Sequence, residues 1–136
     1  MNTEILIKEL TRDEGMRLMP YRDTVGKLTI GVGRNLDDVG ISLDEANTLL
    51  TNDINRVIKD LDRAFSWWRN MSESRQRVIC NMTFNLGINK LLKFNNTLKL
   101  MQDGHYKEAA DAMRLSLWYR QVGARAERLA ILMEQG

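Results

Sequence analysis

Apolar positions along the chain follow two different periods, and the change between them predicts the architecture. From about Thr3 to Glu14, Leu6, Leu10 and Glu14 recur four apart, the spacing of one helix face, and Gly15 supplies a stop. From Leu18 to Arg34 the period drops to two. Leu28, Ile30 and Val32 alternate with Thr29, Gly31 and Gly33, and Asp23-Thr24-Val25-Gly26 carries turn chemistry, so a hairpin or small sheet is expected. One face of that sheet reads as apolar. The other is nearly bare, which suits close approach of a ligand to the backbone or merely permits bends.

Helical spacing returns from about Leu43 to Ala64 through Ala46, Leu49, Leu50, Ile54, Val57, Ile58 and Leu61, opened by a capping box of Ser42 and Glu45. About 22 residues at 1.5 Å each span about 33 Å, enough to join two lobes. Further helices are expected at about Ser72–Leu86, Asn95–Asp103 and Tyr106–Leu115, with a last one from about Ala124. The sum is an α+β chain, mainly helical, with a small N-terminal sheet. The expected organisation is one domain over residues 1–136: a β-containing lobe at about 14–45, a connecting helix at about 43–64, and a helical lobe at about 65–136 that includes the N-terminal helix.

Composition narrows the function. The 20 basic and 18 acidic residues leave a net charge of +2, too balanced to mark a nucleic-acid binder, though compatible with an anionic polymer. No stretch reaches the roughly 20 apolar residues of a membrane span. Ile5-Leu6-Ile7, closed by Lys8 and Glu9, does not read as a signal peptide. The single cysteine, Cys80, forbids an internal disulfide and, among apolar neighbours, reads as an inert thiol. A lone His105 builds no zinc site, and no metal or cofactor is expected.

The candidate chemistry is carboxylate chemistry. Hydrolysis of a glycosidic bond commonly needs a protonated carboxylic acid and a second carboxylate. Glu14, ending an apolar stripe, is placed for partial burial, which would help it keep its proton; Asp23, in a polar turn, is placed to stay ionised. Spacing alone leaves open the plainer reading of a helix-end carboxylate and a turn former. Trp67 and Trp68 are readable either as sugar-stacking rings or as one buried and one half-exposed side chain. Met82 and Trp118 read as core, the latter with its indole N–H bonded to a neighbour. Arg120, Arg125 and Arg128 read equally as a solvated face or as contacts for wall carboxylates.

The order of these residues resembles the phage-type lysozymes, glycoside hydrolase family 24. Asp13-Glu14-Gly15, Tyr21-Arg22-Asp23-Thr24, Gly26 and Thr29-Ile30-Gly31-Val32-Gly33 follow that family's pattern, as do RVICNMTFNLG at Arg77–Gly87 and Trp118-Tyr119, Gln121, Arg125 and Arg128. The resemblance covers nearly the whole chain, with about Asn35–Asn70 looking shorter than in larger members. It implies a lysozyme-like fold and an N-acetylmuramidase acting on the β-1,4 bond between N-acetylmuramic acid and N-acetylglucosamine. Glu14 would be the general acid, while Asp23 and Thr29 would position and activate water. Such a scheme inverts the anomeric centre, which calls for carboxyl groups about 6.5–9.5 Å apart. Gly31, Gly33, Phe84 and Asn85 would contact substrate.

The resemblance further implies a monomeric endolysin that binds bacterial peptidoglycan, with no nucleic acid and no membrane insertion. It would gather in the host cytoplasm and reach the wall once a separate holin-type partner permeabilises the membrane, as bacteriolytic enzymes of host lysis do. Arg34 stands where some members carry an ion-paired histidine, so that pair is not assumed. Val25 and Leu117 stand where polar residues can bridge two lobes, so no ion pair is expected there. The alternatives are a catalytically silent peptidoglycan-binding protein on the same fold, or a helical interaction module unrelated to the wall.

Overall fold

The computed structural model describes all 136 residues. They form two compact units, Met1–Leu49 and Leu50–Gly136, with the division falling inside one helix.

In the first unit, α1 (Thr3–Glu14) has the expected bounds. Asn2 caps its start, accepting the Ile5 N–H at 3.1 Å. Gly15, at φ 74°, ends it. A three-stranded antiparallel sheet follows in the order β1 (Arg17–Arg22), β2 (Leu28–Gly31), β3 (Arg34–Asn35). Tyr21 pairs with Thr29 and Arg22 with Leu28, while an irregularity interrupts β1 between Arg17 and Tyr21. Pro20 lies in that interval, on an edge strand where a missing N–H is tolerated.

The period-two pattern ends earlier than the sequence suggests. Gly31 and Gly33 have φ of 69° and 68°, outside the β region, so Gly31-Val32-Gly33 turns the chain between the paired Ile30 and Arg34. Of the two readings of these glycines, a bare face and a bend, the structure shows the bend. The one buried side chain of the sheet is Thr29, with Leu28 and Ile30 only half-buried.

The capping box at α2 (Leu43–Ala64) forms reciprocally: Ser42 N–H donates to Glu45 Oε1 at 2.9 Å, and Glu45 N–H to Ser42 Oγ at 3.1 Å. Arg34 adds a forked contact to the same carboxylate, Nη1 to Oε1 at 2.8 Å and Nη2 to Oε2 at 2.7 Å. Hydrogen bonds from Arg34 and Ser42 pull the Glu45 carboxyl down to about 2. Position 34 thus makes an ion pair of its own, to Glu45.

The second unit holds the apolar core, from Val57 onward. Its elements after α2 are a 3₁₀ turn at Trp68–Asn70, α3 (Glu73–Leu86), α4 (Ile88–Leu91), α5 (Asn95–Gln102), α6 (Tyr106–Arg114), α7 (Leu117–Val122) and α8 (Ala124–Gln135). On α3, Val78, Ile79, Met82 and Thr83 share one face and are buried, as expected for Met82. The Thr83 hydroxyl is satisfied by the Ile79 carbonyl at 2.6 Å. Ala109 and Ala110 of α6 and Ala126 and Ala130 of α8 are fully buried, and their small side chains let these helices pack closely. Burying each larger core side chain, such as Met82 or Ile79, contributes about 1.5–3 kcal/mol. Arg75 fastens the end of α8, donating to the carbonyls of Met133 at 2.7 Å and Glu134 at 3.0 Å, which otherwise have no helical partner. The helices α4 and α7 were not foreseen; each is under two turns long, too short to show a period.

Candidate active site

The three expected catalytic side chains all fall in the first unit. Glu14 closes α1, where the chain turns through Gly15 toward β1. Its side chain lies against Gly33: a Cβ built there would stand 3.0 Å from Glu14 Oε2, 3.1 Å from Cδ and 3.2 Å from Cγ. A glycine is thus needed twice at this point, for its φ of 68° and for the space the carboxylate occupies. At Gly31, by contrast, an added Cβ would meet nothing within 4 Å.

The burial expected for Glu14 is not found. Glu14 is exposed and α1 buries no residue; Gly33, set against the Glu14 carboxylate, has no side chain to cover it. Asp23 is the more enclosed of the two acids.

Asp23 directly follows β1, and its turn is built as the sequence predicted. The Gly26 N–H donates to the Asp23 carbonyl at 3.0 Å, and Gly26 takes φ 83°. Asp23 Oδ1 accepts two backbone N–H groups, from Val25 at 3.0 Å and Lys27 at 2.8 Å. The second carboxylate oxygen has no such bond. Thr29, 2% exposed on β2, has its Oγ1 2.8 Å from the Lys27 carbonyl. A carbonyl only accepts, so the Thr29 hydroxyl is the donor, and its remaining capacity is as an acceptor. The same Lys27 carbonyl takes the Asp23 N–H at 2.9 Å. The backbone of Lys27 therefore ties Asp23 and Thr29 into one rigid group. Sequence reasoning missed Lys27, since a role played by main-chain atoms leaves no trace in residue type.

Phe84 and Asn85 belong to the second unit, near the end of α3. Successive helix residues point about 100° apart, and these two serve different surroundings. Phe84, 44% exposed, lines an apolar groove of about 500 Å³ with Leu50, Ile54, Val57, Cys80 and Arg125. Burial in that groove pushes the Cys80 thiol above its ordinary range. Arg125 donates to Asn81 Oδ1 at 2.7 Å. Asn85 Oδ1 accepts the Trp118 indole N–H at 2.8 Å, the bond expected of a core tryptophan. Trp118 in turn lines a groove of about 600 Å³ with Phe94, Thr97 and Gln121. Val25 and Leu117 are each exposed, 76% and 61%. Nowhere do three His, Cys, Asp or Glu side chains gather as a metal site would require, and no helix is long and apolar enough to cross a membrane.

Comparison with known proteins gives a consistent set of likenesses. A family described as phage lysozyme matches residues 11–134. The chain is 33% identical, over 93% of its length, to the pre-baseplate central spike protein Gp5 of Enterobacteria phage T4, of which it spans 27%. It is 29% identical over 96% of its length to probable T4-type lysozyme 1 of Dictyostelium discoideum, spanning 94% of that protein. A third likeness, 30% identity over 78% of the chain, is to the SAR-endolysin of Escherichia phage Mu, of which 65% is covered.

Proposed function

The chain belongs to the phage lysozyme family of glycoside hydrolases, and on that premise we propose that it hydrolyses peptidoglycan as an N-acetylmuramidase, cutting the β-1,4 bond between N-acetylmuramic acid and N-acetylglucosamine. The observation that carries this reading is the hydrogen-bonding state of Asp23 and Thr29. One Asp23 oxygen is held by two N–H groups and the Thr29 proton is committed to the Lys27 carbonyl. What remains is a carboxylate oxygen and a hydroxyl lone pair, two acceptors suited to the two hydrogens of one water. That water attacks the anomeric carbon as Asp23 takes its proton. Glu14 gives its proton to the departing glycosidic oxygen, so the bond to carbon breaks and a new hydroxyl forms. Attack opposite the leaving group inverts the anomeric centre. Gly31 and Gly33, in the same unit as Glu14, Asp23 and Thr29, contact the glycan in this reading.

Glu14→Gln tests the assignment. It should lower the clearing of purified walls by about 10²–10⁴-fold, the usual range for losing a general acid, with the fold intact. Equal clearing by variant and parent would leave the catalytically silent, wall-binding alternative. Analysis of the digested wall should find new reducing N-acetylmuramic acid ends, and new N-acetylglucosamine ends would refute the bond assignment. A freshly formed α-anomer, followed by NMR, would support inversion.

Two settings fit this chemistry. The likeness to the Mu SAR-endolysin supports an endolysin role; for host lysis the proposal adds a monomeric enzyme in the host cytoplasm that reaches the wall once a holin-type partner opens the membrane. The likeness to the T4 central spike protein favours wall cutting as part of a phage tail. Detection of the chain in purified virions would support the tail setting, and its confinement to lysates would support host lysis.

A further inference from the structure

The mechanism above uses none of the three tryptophans, all in the second unit. Two are satisfied within the protein. Trp68 is buried and donates its indole N–H to Asp62 at 2.8 Å; Trp118 donates to Asn85 at 2.8 Å. Trp67 makes no such bond, yet no buried side-chain nitrogen or oxygen lacks a partner. Its half-buried indole therefore keeps the N–H at the surface. Phe65 packs beside it, with ring centroids 5.1 Å apart and planes tilted by 39°.

This pair lines a groove of about 460 Å³ with Ser66, Leu92 and, from α5, Asn95, Leu98, Lys99 and Gln102. Asn95, Lys99 and Gln102 project from one face of that helix, at spacings of four and seven, and Ser66 stands at the rim. Asn95, Gln102 and Ser66 are exposed and make no side-chain bond within the protein. Lys99 is already paired with Asp103 at 3.3 Å.

We propose that this groove is a second carbohydrate site, taking an N-acetylated β-1,4 glycan strand outside the catalytic group. The identity of the polymer rests on the peptidoglycan reading above; the character of the site does not. A pyranose ring offers a face of C–H groups carrying slight positive charge, which complements the negative face of an indole. Its hydroxyls and acetamide need both donors and acceptors, and the side-chain amides of Asn95 and Gln102 each provide both. The volume lies in the usual range for small-ligand sites, about 300–1,000 Å³. The one cation in the groove, Lys99, lies 3.3 Å from Asp103, which partly offsets its charge toward an acidic stem peptide, whereas a neutral glycan draws on the amides and the indole face alone. Occupancy would hold the protein on insoluble wall without altering its chemistry on short soluble fragments.

The test uses the full chain carrying Glu14→Gln, so that ligand is not consumed, and follows the three indole N–H resonances by NMR. Titration with a β-1,4-linked N-acetylglucosamine tetramer should move the Trp67 resonance saturably while Trp68 stays fixed. Adding Asn95→Ala and Gln102→Ala, at two exposed positions, should weaken that response about tenfold, as expected for losing two neutral hydrogen bonds. The same pair in the active chain should weaken binding to insoluble wall about tenfold and leave turnover of a short soluble fragment unchanged. A Trp67 resonance that does not move, or moves with equal affinity in the double variant, overturns the proposal. So does a response to free stem peptide in place of the glycan. Loss of turnover in Glu14→Gln stands or falls separately from all of these outcomes.

Discussion

Replacing Gly33 by alanine tests the close approach at Glu14 most directly. The methyl carbon would stand 3.0–3.2 Å from three atoms of the Glu14 side chain. Carbon atoms in comfortable contact sit about 3.5–4.0 Å apart, so the carboxylate must retreat by about 0.5 Å. A displacement of about 1 Å at a reacting group costs about a hundredfold in rate, and half of that scales to about tenfold. Stability suffers separately, because a side chain at φ 68° costs about 1–2 kcal/mol.

Gly31→Ala is the matched control for stability. Its φ is 69°, so the backbone cost is the same, but nothing lies within 4 Å of the added methyl. Urea unfolding should therefore show about 1–2 kcal/mol lost at either position, with an additional loss at Gly33. That addition should vanish in a Glu14→Ala background, since the colliding atoms are gone, and a double-mutant cycle isolates it. Wall clearing by Gly33→Ala should fall about tenfold at a temperature where the variant is fully folded. Full activity there, or an unchanged Gly33 cost in the Glu14→Ala background, would refute the reasoning.

Other consequences can be measured in the same assays. Thr29→Val should abolish most wall clearing, because the acceptor beside Asp23 is lost, whereas Thr29→Ser should retain a substantial part; equal activity of the two would remove the hydroxyl from the mechanism. Glu45 is depressed to about 2 in the folded state from an ordinary value of 4.5. The native protein therefore binds fewer protons than the unfolded chain between these values, and the stabilising contribution is present above about pH 4.5 and lost as pH falls toward 2. Glu45→Gln should accordingly flatten the fall in denaturation midpoint across that window, and an unaltered slope would contradict the assignment. Ile79→Ala, at a fully buried position, should cost about 2–5 kcal/mol in unfolding free energy and spare the rate of wall clearing measured well below the transition.

The elements that were legible in the sequence are those with a long period or a distinctive stop. The bounds of α1 and α2 followed from apolar spacing together with Gly15 and the Ser42–Glu45 box. The turn at Asp23–Gly26 followed from its residue types. Alternation at Leu28–Gly33 predicted a strand correctly but overran it, because a glycine at positive φ and a glycine in a strand look alike in sequence. The environment of Glu14 was misjudged for a related reason. Helix phase says which side chains lie in line, and it does not say that the facing residue is Gly33, nineteen positions later. The surroundings of Asn85 were equally hidden, since its bond to Trp118 joins residues far apart in the chain.

Lys27 draws these points together from the opposite direction. Its peptide groups organise Asp23 and Thr29, while its ammonium only reaches Asp38, 3.2 Å away at the surface, a pair worth little. A substitution library at this position should accordingly accept nearly every residue except proline, which cannot supply the N–H that Asp23 receives. Alanine scanning would pass over it, and a variant catalogue would rank it among the most permissive sites of the hairpin. An ester in place of the amide between Gly26 and Lys27, which deletes that N–H and keeps the side chain, is the substitution that would expose its importance.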